Sequence, residues 1–309
     1  MVAEPRRARI EASTTPTGAD VSNAMTRPVR SDLVVQGHNV LREDLEVLQL
    51  LTGAVGVEPL ARAQCDAYRL HEPADVAGVA QACAAAGYDW ALVPEPRTLA
   101  RVRLVAMDMD STLITIECID EIAALRGIGN EVAAITAAAM RGDIDFRTSL
   151  ERRVALLADV PVIDLERVYE ERLRLSDGAV QLLETCARIG AKTLLVSGGF
   201  TFFTDRLQSR LALDHAIANV LEIVDGKLTG RMHGNVIDAN AKAAAFANLV
   251  DRYRGDDGLA VAIGDGANDL PMLALADVSI AYRAKPRVRE RAMHAIDHCG
   301  LDAVLNLFN

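Results

Sequence analysis

The chain has 309 residues, a length typical of about two domains, and 50% of them are hydrophobic, so a sizeable core can be buried. Its formal net charge of −10 has the opposite sign to that of nucleic-acid-binding proteins, so we predict no nucleic-acid partner. The five cysteines are scattered without a CxxC spacing, which favours reduced thiols in the cytoplasm over a zinc site or a disulfide framework. No apolar run reaches the ~18–20 residues that a membrane span needs, and no apolar segment follows the basic N-terminus as it would in a secretory signal.

Residues 1–30 are rich in Ala, Thr, Pro and Arg without any periodicity, and we predict a disordered tail. The next segment, 31–95, combines short apolar runs with two stretches of helical spacing. The predicted strands are 33–35, 55–60, 67–70 and 90–93, and the predicted helices are 41–51 and 75–86. This βαββαβ order is that of a small ferredoxin-like domain, followed by a linker at 95–100.

Residues 104–107 form an apolar run that predicts a buried parallel strand. Helical spacing then continues through 116–174, which is too long for an ordinary strand-to-helix connection. We therefore expect an inserted cap over the carboxyl edge of the sheet, with helices at 121–125, 131–140, 146–157 and 165–173.

After this insertion, strands and helices alternate to residue 309. The predicted helices are 178–189, 202–212, 241–253 and 271–275, and the predicted strands are 193–196, 217–224, 227–232, 259–263, 278–281 and 295–296. Asp225-Gly226 predicts a hairpin turn between two of these strands. The alternation predicts a doubly wound, mainly parallel α/β sheet across 101–309.

Four segments with chemically active side chains directly follow predicted strands or open predicted helices. They are 108–112 (DMDST), 197–199 (SGG), Lys242 and 264–269 (GDGAND). Each alone is common in turns or, for the lysine, on a solvated helix. Open α/β sheets bind ligands at the carboxyl ends of their strands, so together these segments predict a phosphate-handling site.

The acids in these segments predict covalent chemistry at a phosphate monoester. Asp108 can act as the nucleophile if a cation offsets its repulsion from the phosphate. Mg²⁺ is the expected ion, held by the Asp108 and Asp265 carboxylates and the main-chain carbonyl of Asp110. Asp269 is expected behind these ligands, orienting metal-bound water. Asp110 would protonate the leaving oxygen and then take a proton from the hydrolytic water.

Three further groups are expected to bind the phosphoryl oxygens. Lys242 supplies a positive charge. Ser197 supplies a hydroxyl group, and Gly198 a backbone N–H at a helix N-terminus, where anions are favoured.

From Leu104 to residue 309 the four segments match, in order and spacing, the motifs of the haloacid dehalogenase-like phosphatases. Within that family the chain resembles the phosphoserine phosphatases, and its segment 31–95 is similar to the ferredoxin-like or ACT-like domains of bacterial members. The resemblance implies hydrolysis of O-phospho-L-serine to L-serine and phosphate, the last step of serine biosynthesis, with Mg²⁺ as cofactor. A homodimer is compatible with it.

The resemblance also implies three substrate-binding residues. Glu117 matches the acid that binds the substrate amino group, and Arg153 matches the cap arginine that binds the carboxylate. Asn268 matches a position that contacts the phosphate. Without the resemblance, Glu117 would be a helix-start acid and Arg153 a partner of Glu151 or Asp159 at the surface.

Helical spacing predicts which way these cap side chains point. Phe146, Leu150 and Arg153 share one face of their helix, whereas Arg152 lies about 100° around it and is expected in solvent. Met140 and Phe146 are expected to screen the site from water.

Other functions are disfavoured by particular residues. A capped phosphatase for a phosphosugar or phosphohomoserine is an alternative, although Glu117 and Arg153 argue against a sugar. A phospho-accepting receiver domain is shorter and lacks a cap. A dinucleotide-binding module would need glycine where Asp269 stands. A calcium loop starting at Asp108 would need an acid where Ile119 stands.

Overall fold

A computed structural model describes residues 30–309. The predicted tail, 1–30, therefore lies outside the described residues except for Arg30. No helix within 30–309 is both long enough and apolar enough to cross a membrane.

The first folded unit is a four-stranded antiparallel sheet with two helices. In chain order its elements are β1 (Ser31–Gly37), α1 (Arg42–Thr52), β2 (Gly56–Leu60), β3 (Asp66–His71), α2 (Val79–Ala86) and β4 (Asp89–Pro94). The sheet order is β2-β3-β1-β4. The predicted βαββαβ order is thus confirmed, although α2 begins four residues later than predicted, after Asp75.

Packing in this unit follows its apolar pattern. Leu33 and Val35 on β1, Leu45 and Leu48 on α1 and Cys83 on α2 belong to one buried cluster. The helices therefore cover one face of the sheet, as their spacing predicts.

The second unit is a seven-stranded sheet in the order β11-β10-β9-β5-β6-β7-β8. Its strands are β5 (Val102–Met107), β6 (Lys192–Phe200), β7 (His215–Val224), β8 (Lys227–His233), β9 (Leu259–Gly264), β10 (Val278–Tyr282) and β11 (His294–Ile296). Neighbours pair in parallel except β7 and β8, which form the predicted antiparallel hairpin. The predicted α/β fold class is confirmed.

Alternation along β5 explains why the sheet is covered on both faces. Val105 and Met107 pack into one buried cluster, whereas Leu104 and Ala106 pack into another. The first cluster includes Leu182 and the second includes Phe246. A central parallel strand is continuously apolar because it has no solvent face.

The cap follows β5 as a group of helices. They are α3 (Cys118–Leu125), α4 (Gly129–Arg141), α5 (Phe146–Ala155) and α6 (Val162–Arg167), and a wider helical turn occupies Val168–Arg172. The fourth predicted helix, 165–173, is thus displaced towards the N-terminus. Helix α5 begins at Phe146 because the Asp145 carboxylate accepts the Thr148 N–H at 2.9 Å.

The remaining helices complete the layers around the seven-stranded sheet. They are α7 (Ala179–Ile189), α8 (Thr201–Leu211), α9 (Ala239–Tyr253), α10 (Leu270–Leu273) and α11 (Pro286–Arg289). The sequence pattern missed α11 and a buried 3-10 helix at Leu301–Leu307, because both are too short for a periodic signal.

Polar side chains join the two units. The Asp89 carboxylate, at the start of β4, accepts backbone N–H groups of Asp297, His298 and Cys299 at 2.8 to 3.2 Å. Buried Asn306 donates to Gln36 at 2.9 Å. The first unit is therefore docked on the β11 edge of the large sheet by buried hydrogen bonds, which are costly to leave unpaired.

The buried pair of Arg97 and His294 makes this contact pH-dependent. Arg97 Nη1 lies 2.7 Å from His294 Nε2, and burial together with the Arg97 charge lowers the pKa of His294 from 6.5 to about 4. The unfolded chain takes up this proton at a higher pH than the folded chain, so stability falls as pH drops from 6.5 towards 4. Between pH 7 and pH 5 we expect protonation of His294 to lower the free energy of unfolding by about 2 kcal/mol.

Urea unfolding of wild type and His294→Gln at the two pH values checks this expectation. The glutamine keeps an acceptor for Arg97 but cannot titrate. Between pH 7 and pH 5 the free energy of unfolding of His294→Gln should therefore fall by about 2 kcal/mol less than that of wild type. His38→Gln, at an exposed position, is the control and should behave like wild type. Identical pH slopes in wild type and His294→Gln would contradict the assignment.

Candidate active site

The candidate site lies at the carboxyl edge of the large sheet, under the cap. Strands β9, β5 and β6 are neighbours there. Predicted segments follow β5 and β9, and the SGG segment forms the end of β6. A cavity of about 120 Å³ opens at this edge. Nine of the residues named from the sequence line it: Asp108, Asp110, Glu117, Phe146, Arg153, Ser197, Gly198, Asp265 and Asn268.

Asp108 is the first residue after β5 and is 5% exposed. One of its oxygens, Oδ1, accepts the Met109 N–H at 2.6 Å and lies 2.8 Å from Lys242 Nζ. Burial and the nearby Asp269 carboxylate raise the pKa of Asp108 well above its usual range, against the effect of Lys242. The ionised form of Asp108 is therefore destabilised unless a further cation lies nearby.

Lys242 lies at the base of the site, fully buried, and does not line the cavity. Its ammonium group contacts Asp108 Oδ1 at 2.8 Å and Asp269 Oδ1 at 2.9 Å. Burial alone would lower the pKa of Lys242, but the two carboxylates raise it overall, so the residue stays charged. The other Asp269 oxygen accepts the Gly266 N–H at 3.0 Å, so both Asp269 oxygens already have partners.

Three buried carboxylates form a candidate metal centre. Asp108, Asp265 and Asp269 each offer an oxygen within 4.8 Å of the others. Asp265 accepts the Thr112 hydroxyl at 3.2 Å, and burial followed by repulsion from Asp269 raises its pKa to about 6. Three clustered carboxylates, with the pKa values of Asp108 and Asp265 raised, fit a hard divalent cation, which would relieve their repulsion.

Asp110 also lines the cavity, beside Glu117. Its Oδ1 accepts the Cys118 N–H at 3.1 Å, and burial and the Glu117 charge raise its pKa to about 7. A β-carbon on Gly199 would lie 2.8 Å from Asp110 Oδ2 and 3.0 Å from Ser197 Oγ. Glycine at 199 is therefore required for this close approach.

The SGG segment differs from its prediction. We expected strand β6 to end before Gly198-Gly199, but it continues through both glycines to Phe200, which pairs with Asn219 on β7. Ser197 Oγ accepts the Gly199 N–H at 2.8 Å. The segment presents Ser197 and Gly198 to the cavity. Helix α8 begins only at Thr201, so Gly198 lies near the end of β6 and not at the helix N-terminus that we expected.

The cap places its predicted binding residues on the cavity wall. Glu117 accepts the Ser111 hydroxyl at 2.8 Å, and Ser111 holds a left-handed φ of 56° to make that contact. Arg153 donates from Nε to Ser149 O at 3.4 Å, and among residues 30–309 no carboxylate lies within 4.0 Å of its guanidinium group. Its terminal NH₂ groups therefore have no ion-pair partner in the described chain.

Of two other predictions about the cap, one agrees with the structure and one does not. Phe146 lines the cavity, as expected. Met140 does not: it is 68% exposed, near the end of α4. The expectation that Met140 screens the site is wrong for this conformation of the cap, because α4 turns that side chain towards solvent.

Sequence reasoning missed one charged residue of the site. Lys285 precedes α11 and lines the cavity, and its N–H donates to the main-chain oxygen of Asp265 at 3.2 Å. The available signal was its place just after β10, since the carboxyl ends of parallel strands share one edge.

Comparison with known proteins agrees with this geometry. Residues 105–274 match the model of the haloacid dehalogenase-like hydrolase family. A phosphoserine phosphatase of Polaromonas sp. (strain JS666) is 52% identical over 214 residues, which are 68% of this chain and 91% of that protein. The chain belongs to the phosphoserine phosphatase family of haloacid dehalogenase-like hydrolases.

Two solved structures extend the family assignment. The unliganded structure of a probable phosphoserine phosphatase from Vibrio cholerae has a TM-score of 0.76 at 37% identity, covering 90% of this chain and 86% of that one. A phospho-aspartyl intermediate analogue of a phosphoserine phosphatase has a TM-score of 0.62 at 37% identity, covering 68% of this chain and 100% of that one. The first similarity is wide enough to include the small N-terminal sheet.

Proposed function

We propose that this protein hydrolyses O-phospho-L-serine to L-serine and phosphate, the last step of serine biosynthesis, in the cytoplasm. The observation that carries the proposal is a single cavity with two chemically different ends. Asp108 and Asp265 lie at the sheet end, and Glu117 and Arg153 lie at the cap end. An amino acid bearing a phosphate has the complementary groups at its own two ends.

At the cap end, charge selects the amino-acid part of the substrate. The Glu117 carboxylate pairs with the substrate ammonium group. The paired NH₂ groups of Arg153 bind the substrate carboxylate in a bidentate manner. Phe146 covers this end and excludes water.

At the sheet end, the chain holds the phosphoryl group for attack. Ser197 Oγ, the Gly198 N–H and the Asn268 side chain bind its oxygens. Asp108 then attacks phosphorus, forming an aspartyl-phosphate while the serine oxygen leaves. Lys242 keeps the attacking carboxylate in place through its 2.8 Å contact.

Asp110 moves the protons. With a pKa raised to about 7, it can hold a proton at neutral pH and donate it to the leaving serine oxygen. Once deprotonated, it takes a proton from the water that hydrolyses the aspartyl-phosphate.

We further propose Mg²⁺ as the cofactor. The Asp108 and Asp265 carboxylates and the main-chain carbonyl of Asp110 would hold it, and Asp269 would orient its bound water. When bound, the ion supplies positive charge that offsets the repulsion between Asp108 and the phosphate.

Steady-state kinetics with and without Mg²⁺ test the proposal. We expect phosphoserine turnover to need Mg²⁺ and to stop on chelation. We also expect kcat/KM for phosphoserine to exceed that for a phosphosugar by at least about 100-fold, since a sugar has no ammonium group or carboxylate for the cap end. Phosphohomoserine has these groups but one more methylene between them and the phosphate, so its kcat/KM should be about tenfold lower than that of phosphoserine. Equal rates on a phosphosugar, or a phosphorylated form that persists for minutes, would overturn it.

A further inference from the structure

Lys285 is an unassigned cation at the sheet end of the cavity. Only two basic side chains line the cavity among the residues that the structure describes, Arg153 from the cap and Lys285 from the core. The charge of Arg153 acts on Glu117, whereas Lys285 contacts Asp265 through its backbone and its charge acts on the Asp265 carboxylate. The two cations therefore face different parts of a bound substrate.

The backbone of Lys285 is held rigidly against the site. Its N–H donates to the main-chain oxygen of Asp265 at 3.2 Å, and its own carbonyl accepts the N–H groups of Val288 and Arg289 at 2.9 and 3.2 Å. The side chain itself is exposed and has no carboxylate within 4.0 Å among the described residues. Nearby Arg283 instead pairs with Asp177 at 3.7 Å.

The other lysine at this end is already neutralised. Lys242 contacts two carboxylates, Asp108 at 2.8 Å and Asp269 at 2.9 Å, and lies behind the cavity wall. Three carboxylates, those of Asp108, Asp265 and Asp269, and one ammonium group leave this end with a net charge of −2. A divalent cation would bring that sum only to zero. A phosphate dianion arriving here therefore meets no net positive charge from these groups.

We propose that Lys285 binds the phosphoryl group of the substrate at the sheet end of the cavity and draws phosphate monoesters into the site. This inference rests on the proposed function, because it concerns the phosphate end of that same site. The ligand class is wider than phosphoserine: any phosphomonoester dianion, and inorganic phosphate, carries the group that Lys285 binds. Exposed charges at a cavity mouth act on the capture of a charged ligand, and they do so most strongly at low salt.

The test compares Lys285→Met with Arg287→Met. Arg287 is an exposed cation two residues away on α11 and does not line the cavity. For Lys285→Met we expect KM to rise about tenfold for phosphoserine and equally for an aryl phosphate, with kcat within about twofold of wild type. Arg287→Met should stay within about twofold of wild type on every measurement. Lys285→Arg should restore KM because it keeps the charge.

A binding measurement separates this role from a structural one. Calorimetry with inorganic phosphate, with and without Mg²⁺, should give a dissociation constant about tenfold higher in Lys285→Met than in wild type. The affinity for Mg²⁺ alone should not weaken, because Lys285 repels a cation from Asp265. The thermal midpoint should not fall, because Lys285 has no ion-pair partner among residues 30–309.

Three outcomes would overturn the inference. A loss confined to phosphoserine would place Lys285 on the carboxylate, and an equal loss in Arg287→Met would reduce it to general surface charge. An unchanged affinity for inorganic phosphate would remove the binding role. If wild type hydrolyses the aryl phosphate but not phosphoserine, the proposed substrate is wrong. The measurements with the aryl phosphate and with inorganic phosphate still test the role of Lys285.

Discussion

Asp108→Asn should reduce phosphoserine turnover by at least about four orders of magnitude, to the level of background hydrolysis. The amide cannot form the covalent bond to phosphorus, so the first chemical step is lost. Two acids follow β5, but only Asp108 contacts the buried Lys242, at 2.8 Å. Asp110 instead accepts the Cys118 N–H and lies beside Glu117.

This variant should still fold. Asparagine is close in size and keeps an acceptor for the Met109 N–H, and Lys242 keeps its contact with Asp269 at 2.9 Å. Burial disfavours the charge at 108, so its removal should not lower the thermal midpoint. The matched control is Asp251→Asn, at an exposed position of α9, which should turn over like wild type.

Acid quenching gives an independent readout of the same step. Wild type stopped during turnover should carry a phosphoryl group on the peptide that contains Asp108, and Asp108→Asn should carry none. Full activity in Asp108→Asn, or a phosphoryl group on Asp110 in wild type, would refute the assignment of the nucleophile.

The site residues that could be predicted from the sequence are those whose position follows from a local sequence pattern. An apolar run that ends in acids places Asp108 at a strand end wherever the strand lies, because parallel strands present their carboxyl ends to one edge. The same reasoning put Ser197 and Asp265 at the carboxyl ends of two further strands, and both residues line the cavity at the ends of β6 and β9, the two neighbours of β5. Glu117 and Arg153 needed the family resemblance, since an acid at a helix start and an arginine on a helix are common without any function.

The parts that the sequence did not predict depend on distant contacts. Gly198-Gly199 has the composition of a turn, yet the chain stays extended because Phe200 pairs with Asn219 on β7. Lys285 follows β10 without any motif of its own, and the pairing of β10 with β9 brings it beside Asp265. Met140 was expected to screen the site, but its position on α4 leaves its side chain exposed.

Arg153→Ala should lower kcat/KM for phosphoserine by about 10²–10⁴-fold, because two charge-assisted hydrogen bonds are each worth about 1.5–3 kcal/mol. An aryl phosphate has no carboxylate, so its kcat/KM should change by no more than about threefold. The free terminal NH₂ groups of Arg153 support this expectation, since no carboxylate of residues 30–309 lies within 4.0 Å of them. Steady-state kinetics on both substrates measure the two losses.

Arg152→Ala is the matched control, because the two arginines are adjacent on α5 but only Arg153 lines the cavity. Arg152→Ala removes the same charge from the same helix, so a general effect of cap charge would appear in Arg152→Ala as well as in Arg153→Ala. Selective binding of the carboxylate would appear in Arg153→Ala alone, and only with the amino-acid substrate. Equal losses on both substrates would instead mean that Arg153 acts on the phosphate or on cap closure. The cap end of the cavity would then no longer explain why a phosphorylated amino acid is preferred.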